Sequence, residues 1–314
     1  MPPASSAPGW RAGYALGATR LHALVRPAKA GRLAALGCEL VQGDLADRYV
    51  VQAHLEQVDA LVHAAGVYRV GVAPADRQPM WAANVDGTES VLAAAKARGV
   101  GKVVYVSSVI VLGNTCGDIV HETHTSMREF TSYYEETKHR AHEVARRFAA
   151  AGLPCVTVLP GAVYGPGDPS QVGDVVERFR LHRLPMMPFP DLGLTFVHRD
   201  DVAAGVLLAL DAGRPGAEYI LGGEIATMRD VVETVARLTG RTAPTRRLPT
   251  GVLKAVAPVA PVLGRLTGLP RNVREIVSSS DRVTFWVTDR KARRELGYSP
   301  RSLEDGLRDT YAGR

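Results

Sequence analysis

A disulfide framework is missing from this chain. Its three cysteines, Cys38, Cys116 and Cys155, are odd in number and far apart, a pattern that suits a reducing, cytoplasmic setting rather than a stapled secreted scaffold. Also missing is an apolar run long enough to cross a bilayer. The longest candidate, Gly251 to Gly264 (GVLKAVAPVAPVLG), is short and interrupted by prolines, and it reads as a buried or amphipathic helix. There is no internal repeat and no low-complexity tract beyond the first nine residues. No block of one charge stands out: the net +6 is spread along the chain. That argues against a nucleic-acid surface and is met more economically by a small anionic ligand.

What is present is a chain of 314 residues, 46% hydrophobic and 22% charged, enough for a large core in one large or two intimate domains. Short apolar runs alternate with helical stretches through the first half: LHALVR (21–26), CELVQGD (38–44), ALVHAAG (60–66), KVVYVSS (102–108) and CVTVLPG (155–161). Strands separated by helices predict parallel βαβ units and a doubly wound α/β sheet. Ligands of such sheets lie beyond the carboxyl ends of the strands. EYILGG (218–223) reads as a further strand, followed by helices punctuated with Gly and Pro that suit a smaller substrate lobe.

Ser132 to Ala151 (SYYEETKHRAHEVARRFAAA) reads as a helix, being rich in Ala, Glu, Arg and Lys and free of Pro and Gly. Tyr134 and Lys138 stand four residues apart on it and share one face. A phenol titrates near pH 10, and a cation held beside it lowers that value toward the range useful for proton transfer. Ser108 ends the run KVVYVSS, where a hydroxyl can polarise a substrate oxygen. The pair His121 and His124 lacks a third ligand, so no metal site is expected. His139 and His142 read as solvated or packing residues. His198, Asp200 and Asp201 in FVHRDDVA (196–203) mark a helix start.

The order ALVHAAG, NVDGT (84–88), VVYVSS (103–108), Tyr134/Lys138, LPGAVYGPGD (159–168) and FVHRDDVA resembles the extended short-chain dehydrogenase/reductase superfamily. Within it, the match is to the NAD-dependent epimerase/dehydratase group and its dihydroflavonol-reductase-like branch, over residues 21 to 312. The resemblance implies a Rossmann-type domain at 1–164, to which 194–212 returns, and a substrate-binding lobe at 165–193 and 213–314. It implies Ser108, Tyr134 and Lys138 as the catalytic set, with Ser107 the fallback to Ser108, and with Lys138 also meeting the nicotinamide ribose. It further implies Asp44 and Leu45 at the adenine, Ala64, Ala65 and Gly66 under the cofactor backbone, Asn84 steadying the site, and Pro160 and Val163 along the nicotinamide. Arg26, which ends the second family strand with Lys29 and Arg32 close behind, implies NADP over NAD, because Arg accommodates a 2′-phosphate. Substrate choice is expected to reside in the lobe and in 67–80. A homodimer through 84–99 and 132–151 is expected as well.

The activity implied is hydride transfer to or from a small-molecule carbonyl or alcohol. The alternatives are sugar-nucleotide epimerisation or dehydration, a non-catalytic cofactor-binding regulator, and a chain inactivated at its cofactor loop. That last alternative arises because the family opens with a strand and a T-G-x-x-G-F-x-G loop, whereas this chain opens MPPASSAPGWRAGYALGATR. Gly9, Gly13 and Gly17 follow no apolar run, so no cofactor role is assigned to them. Back-translation of Met1 to Pro8, read from the third base of the first codon, admits Ala-Thr-Gly-Phe-Ile-Gly-Ser. We therefore expect residues 1 to 19 to be a shifted-frame reading of the cofactor loop, with the usual frame resuming near Leu21.

Overall fold

The computed structural model describes residues 20–25, 37–45, 47–56, 58–125, 129–256 and 272–311. Ten strands are described: β1 His22–Val25, β2 Glu39–Gln42, β3 Ala60–His63, β4 Lys102–Val106, β5 Cys155–Pro160, β6 Ala162–Tyr164, β7 Gly193–His198, β8 Glu218–Leu221, β9 Glu224–Thr227 and β10 Thr284–Phe285. The α-helices are α1 Arg48–His54, α2 Arg77–Trp81, α3 Gly87–Ala97, α4 Tyr133–Ala150, α5 Gln171–Arg180, α6 Arg199–Ala212, α7 Met228–Leu238, α8 Thr250–Val256, α9 Val273–Ser280, α10 Arg290–Leu296 and α11 Leu303–Tyr311.

The expected doubly wound α/β arrangement is present. β3, β4, β5 and β8 form one parallel sheet in that order. All six residues of β5 are buried, as a strand covered on both faces must be, which explains a sequence apolar but for Thr157. One face carries a core shared with α3 and α4, through Leu92, Ala95, Val103, Ala141 and Ala145. The other is covered by α6 and α10, through Val104, Val156, Ala209 and Ala292. β1 and β2 pair in parallel as a separate ribbon. Among the described residues, neither β1 nor β3 has a strand on its remaining edge, and Val62 in β3 is 40% exposed.

A smaller sheet runs β10-β7-β6, with β9 antiparallel to β7. The chain enters it at Gly161, where any Cβ would collide with the Thr195 carbonyl; glycine permits this close passage between the two sheets. α5, α7 and α11 pack on this sheet around Val176, Phe196, Val232 and Leu307.

Two elements sit elsewhere than the sequence implied. Residues 218–221, assigned above to the substrate lobe, extend the larger sheet beside β5. Within 194–212, the segment expected to return to the nucleotide-binding domain, residues 194–198 run in the smaller sheet and the following α6 packs on β4 and β5. Pairing between distant strands decides both placements. In the 251–264 stretch, α8 covers the first six residues; it is mostly exposed, with Leu253 packed inward against Val273 and Val277.

Candidate active site

α4 begins where Ser132 caps it: the Ser132 hydroxyl accepts from the Glu135 amide at 3.1 Å, and Glu135 in turn accepts from the Thr131 amide and hydroxyl. Acidic residues fill the first turn and Arg147 the last, as the helix dipole favours. This places Tyr134 and Lys138 on the face that meets the end of β4. Lys138 is buried and its Nζ donates to the Val106 carbonyl at 3.2 Å. Ser108 follows in extended conformation, and its hydroxyl accepts from the Ile110 amide. Ser107 points the other way, as strand alternation requires, and its hydroxyl lies 3.0 Å from His142 Nδ1. Of the two serines, Ser108 is the one beside the Tyr134 phenol.

These side chains line a cleft of about 580 Å³ at the carboxyl ends of β3, β4 and β5. Ala64, Ala65, Gly66, Pro160 and Val163 line it too. Asn84 acts from behind. Its Oδ1 accepts from the Val67 amide at 2.7 Å and its Nδ2 donates to the Val67 carbonyl and to Thr137 Oγ1, each at 3.0 Å. It thereby ties the 66–67 turn to the Tyr134 helix. Asn84 sits in a π-helical segment, Ala82–Asp86, joining α2 to α3; such bulges are frequent at functional sites. Asp44 and Leu45 are not in the cleft wall. Asp44 is exposed at the end of β2, and Leu45 packs against the core near Gly87. Arg26 and the whole of 1–19, including the proposed frame shift, lie outside the described residues.

The electrostatics differ from the expectation in one respect. Burial, with Tyr68 and Tyr105 beside it, pushes the Tyr134 phenol above its ordinary value, and the Ser108 hydroxyl pulls against that. Lys138 does not bring the phenol down in this arrangement. Its own ammonium is disfavoured by burial, to about 8, and it is engaged by a backbone carbonyl. Tyr134 is therefore a neutral proton donor at pH 7.

Tyr68 was not singled out in the sequence, yet its ring meets Tyr134 edge-on at 4.9 Å between centroids; its place two residues after Gly66 was the available signal. Glu275 was also missed. Buried on α9, it accepts from the Tyr133 amide at 3.0 Å and holds Asn272. No local pattern announces a contact between residues so far apart in the chain. Tyr133 faces away and carries Arg77 over its ring at 4.7 Å.

The histidines set aside above have structural partners. Glu122, between His121 and His124, accepts from the Ile220 amide at 3.1 Å. His198 caps α6 by accepting the Asp200 amide on Nδ1, which leaves the ring proton on Nε2, 3.7 Å from the Asp309 carboxylate.

The cleft is also lined by the apolar side chains of Val172, Val175, Phe189, Leu192, Leu194 and Met228, with Asp168, Ser170 and Gln171 among them. Arg199 contributes a guanidinium at the rim, held by the Pro166 carbonyl and 3.5 Å from Asp200. In the same cleft, backbone bared by Ala64, Ala65 and Gly66, a buried ammonium and two hydroxyls form a donor set that fits the nicotinamide-ribose end of a dinucleotide. A Cβ at Gly66 would press on Asn84 Oδ1 at 3.3 Å, so a larger residue there would have to displace the Asn84 amide.

The model of the NAD dependent epimerase/dehydratase family matches residues 12–222. The chain is 31% identical over 296 residues to sterol demethylase protein B of Methylococcus capsulatus, covering 91% of this chain and 88% of that protein. It is 30% identical over 300 residues to a putative dihydroflavonol 4-reductase of Synechocystis, covering 92% and 86%. A dTDP-glucose 4,6-dehydratase double mutant from Streptomyces venezuelae, solved with NAD bound, superposes with a TM-score of 0.75 at 25% identity, covering 96% of this chain and 89% of that one.

Proposed function

The chain belongs to the NAD dependent epimerase/dehydratase family, and on that premise we propose that it reduces the carbonyl of a small, largely apolar molecule, or oxidises the corresponding alcohol, in the cleft above β3, β4 and β5. The observation that carries this reading is that Tyr134, Lys138 and Ser108 line one cleft together with the apolar side chains of Val172, Val175, Leu192 and Met228. When bound, a nicotinamide supplies or takes the hydride. Tyr134 gives its phenolic proton to the substrate oxygen, and Ser108 donates a hydrogen bond to the same oxygen. Burial keeps Tyr134 protonated until that transfer. Lys138 would bind the ribose hydroxyls and place positive charge next to the phenolate as it forms. Pro160 and Val163 would flank the nicotinamide, the 64–66 turn would admit the cofactor backbone, and Asp44 and Leu45 would face the adenine end. The apolar side chains exclude water from the reacting carbon.

NADP is the cofactor proposed, through Arg26, and Michaelis constants for NADPH and NADH decide it: a clear NADH preference that survives Arg26→Ala ends the idea. The assembly proposed is a homodimer through α3 and α4, in the cytoplasm, and sedimentation of the purified chain tests the dimer. Sugar-nucleotide epimerisation or dehydration is the second reading, favoured by Arg199, whose guanidinium at the rim suits a diphosphate. Turnover of aldehydes, ketones and flavonoid-like compounds, measured beside sugar nucleotides, separates the two. Activity confined to the sugar nucleotides would replace the first reading with the second. Binding of reduced cofactor with no consumption on either panel would leave the regulator.

A further inference from the structure

Beyond the three residues already placed in the site, α4 carries a stripe at four-residue spacing, Tyr134, Lys138, His142 and Arg146, in which His142 faces the sheet and Arg146 is exposed at its edge. His142 is 2% exposed. On one side its Nδ1 lies 3.0 Å from Ser107 Oγ. On the other its Nε2 lies 3.2 Å from Glu218 Oε1 on β8, close but off the line of a hydrogen bond. Glu218 is itself gripped by Arg146 through two contacts, 2.6 and 2.8 Å. Burial alone would raise the Glu218 carboxyl, but Arg146 and His142 hold it down to about 2. A carboxylate so placed requires the proton on Nε2, which leaves Nδ1 bare to accept the Ser107 hydroxyl.

The consequence falls on the peptide 106–108. Its Val106 carbonyl receives Lys138, its Ser107 hydroxyl is committed to His142, and its Ser108 hydroxyl faces Tyr134. The Ser107 amide is pinned from the neighbouring strand by the Val158 carbonyl at 2.8 Å. α4 thus supplies a side chain to each of its three residues, while the Ser107 hydroxyl also lies beside the Tyr105 phenol. We propose that His142 is a positioning residue for the Ser108, Tyr134 and Lys138 site: through Ser107, with Glu218 fixing its tautomer, it sets the register of α4 against the end of β4. It touches neither substrate nor cofactor. The proposal rests on the functional reading above.

A displacement of the reacting groups by about 1 Å can cost on the order of a hundredfold in rate, so the effect should appear in kcat. His142→Leu, which fills the space without an acceptor, should lower kcat about tenfold to a hundredfold while the KM for the carbonyl and the Kd for NADPH stay within about threefold. His142→Asn, whose Oδ1 replaces Nδ1 as acceptor for Ser107, should recover most of the loss. Wild-type kcat in His142→Leu overturns the proposal, and so does a loss that His142→Asn fails to rescue. Should His142→Leu not fold, Ser107→Ala takes its place; it must show the same fall in kcat with folding intact, and unchanged turnover overturns the proposal. Tyr134→Phe runs in the same assay. If it stays active, the functional reading has failed; if it is dead while His142→Leu is normal, only the role of His142 has failed.

Discussion

β5 is buried along its whole length and β4 shuts Val103 and Val104 from solvent, whereas none of the four residues of β2 is buried and β3 leaves Val62 40% exposed. Both regions belong to the same doubly wound plan. In the first, strands are paired on both edges or covered on both faces. In the second, β1 and β3 each keep an edge with no strand partner among the described residues. Tyr134, Lys138 and Ser108 stand on the first region, while Asp44 and Leu45, proposed to face the adenine, stand on the second. On the reading proposed above, proton transfer and capture of the adenine end rest on separate parts of the fold, the nicotinamide end staying with the proton donor through Lys138, Pro160 and Val163, and the two should fail separately.

The sharpest break of that comparison is Tyr134→Phe, confined to the well-covered region. Removing the transferable proton should lower kcat by about 10² to 10⁴ and leave the Kd for NADPH within about threefold. A parallel loss of cofactor affinity would mean the two regions are not separable.

β3 is the seam between them, and His63 at its end provides a stability readout. Burial, and then the charge of Lys138, push His63 down to about 4, and its Nε2 lies 3.0 Å from Thr88 Oγ1. The folded value lies below the unfolded one, so between pH 6.5 and 4 the unfolded chain binds more protons. Stability is then complete above pH 6.5 and is lost as the pH falls through that window, by about 3 kcal/mol. Denaturant titrations at pH 7 and pH 4.5 measure this, and His63→Gln should flatten the slope. Glu218, held down from 4.5 to about 2, begins to lose its contribution at the foot of this window, so the difference between the wild-type chain and His63→Gln isolates the histidine.

Replacing the first 19 residues should sharpen the contrast from the other side. A chain whose first 19 residues are replaced by the alternate-frame strand and glycine loop should bind NADPH at least about tenfold more tightly, since backbone amides at a helix N-terminus are a ready anion site. Its kcat at saturating cofactor should change little. Equal affinity in the two chains would remove the frame account, and the nucleotide sequence through codon 20 tests it independently.

The smallest effect expected is that of Tyr133→Phe. With its ring outside the cleft and under Arg77, it should leave kcat/KM within about twofold. If Tyr133 is essential and Tyr134 dispensable, the register of the site is wrong.

Much of the site was legible because its signals are local. Tyr134 and Lys138 share a helical face through their spacing alone, Ser108 ends an apolar run, and β5 announces its burial by six consecutive core residues. What the sequence hid depends on contacts between distant segments. β8 reads equally well as a lobe strand until it pairs with β5, and β7 until it pairs with β6. Glu275 reaches the Tyr133 amide across 142 residues, and Asn84 binds Val67 and Thr137 from a π-helical turn that periodicity does not reveal. The phenol's electrostatics were hidden for a similar reason: spacing puts Lys138 near Tyr134, but burial, with Tyr68 and Tyr105 beside the ring, holds the phenol high.

The central claim is that Tyr134 delivers a proton to a carbonyl oxygen as hydride reaches its carbon. The direct test incubates the chain with a panel of apolar ketones and NADPH carrying deuterium at the transferring carbon, and follows the label by mass spectrometry. The wild-type chain should produce an alcohol with deuterium on carbon and the hydroxyl proton drawn from solvent, and Tyr134→Phe, loaded with the same cofactor, should produce none above background. Equal label transfer by Tyr134→Phe would contradict the claim.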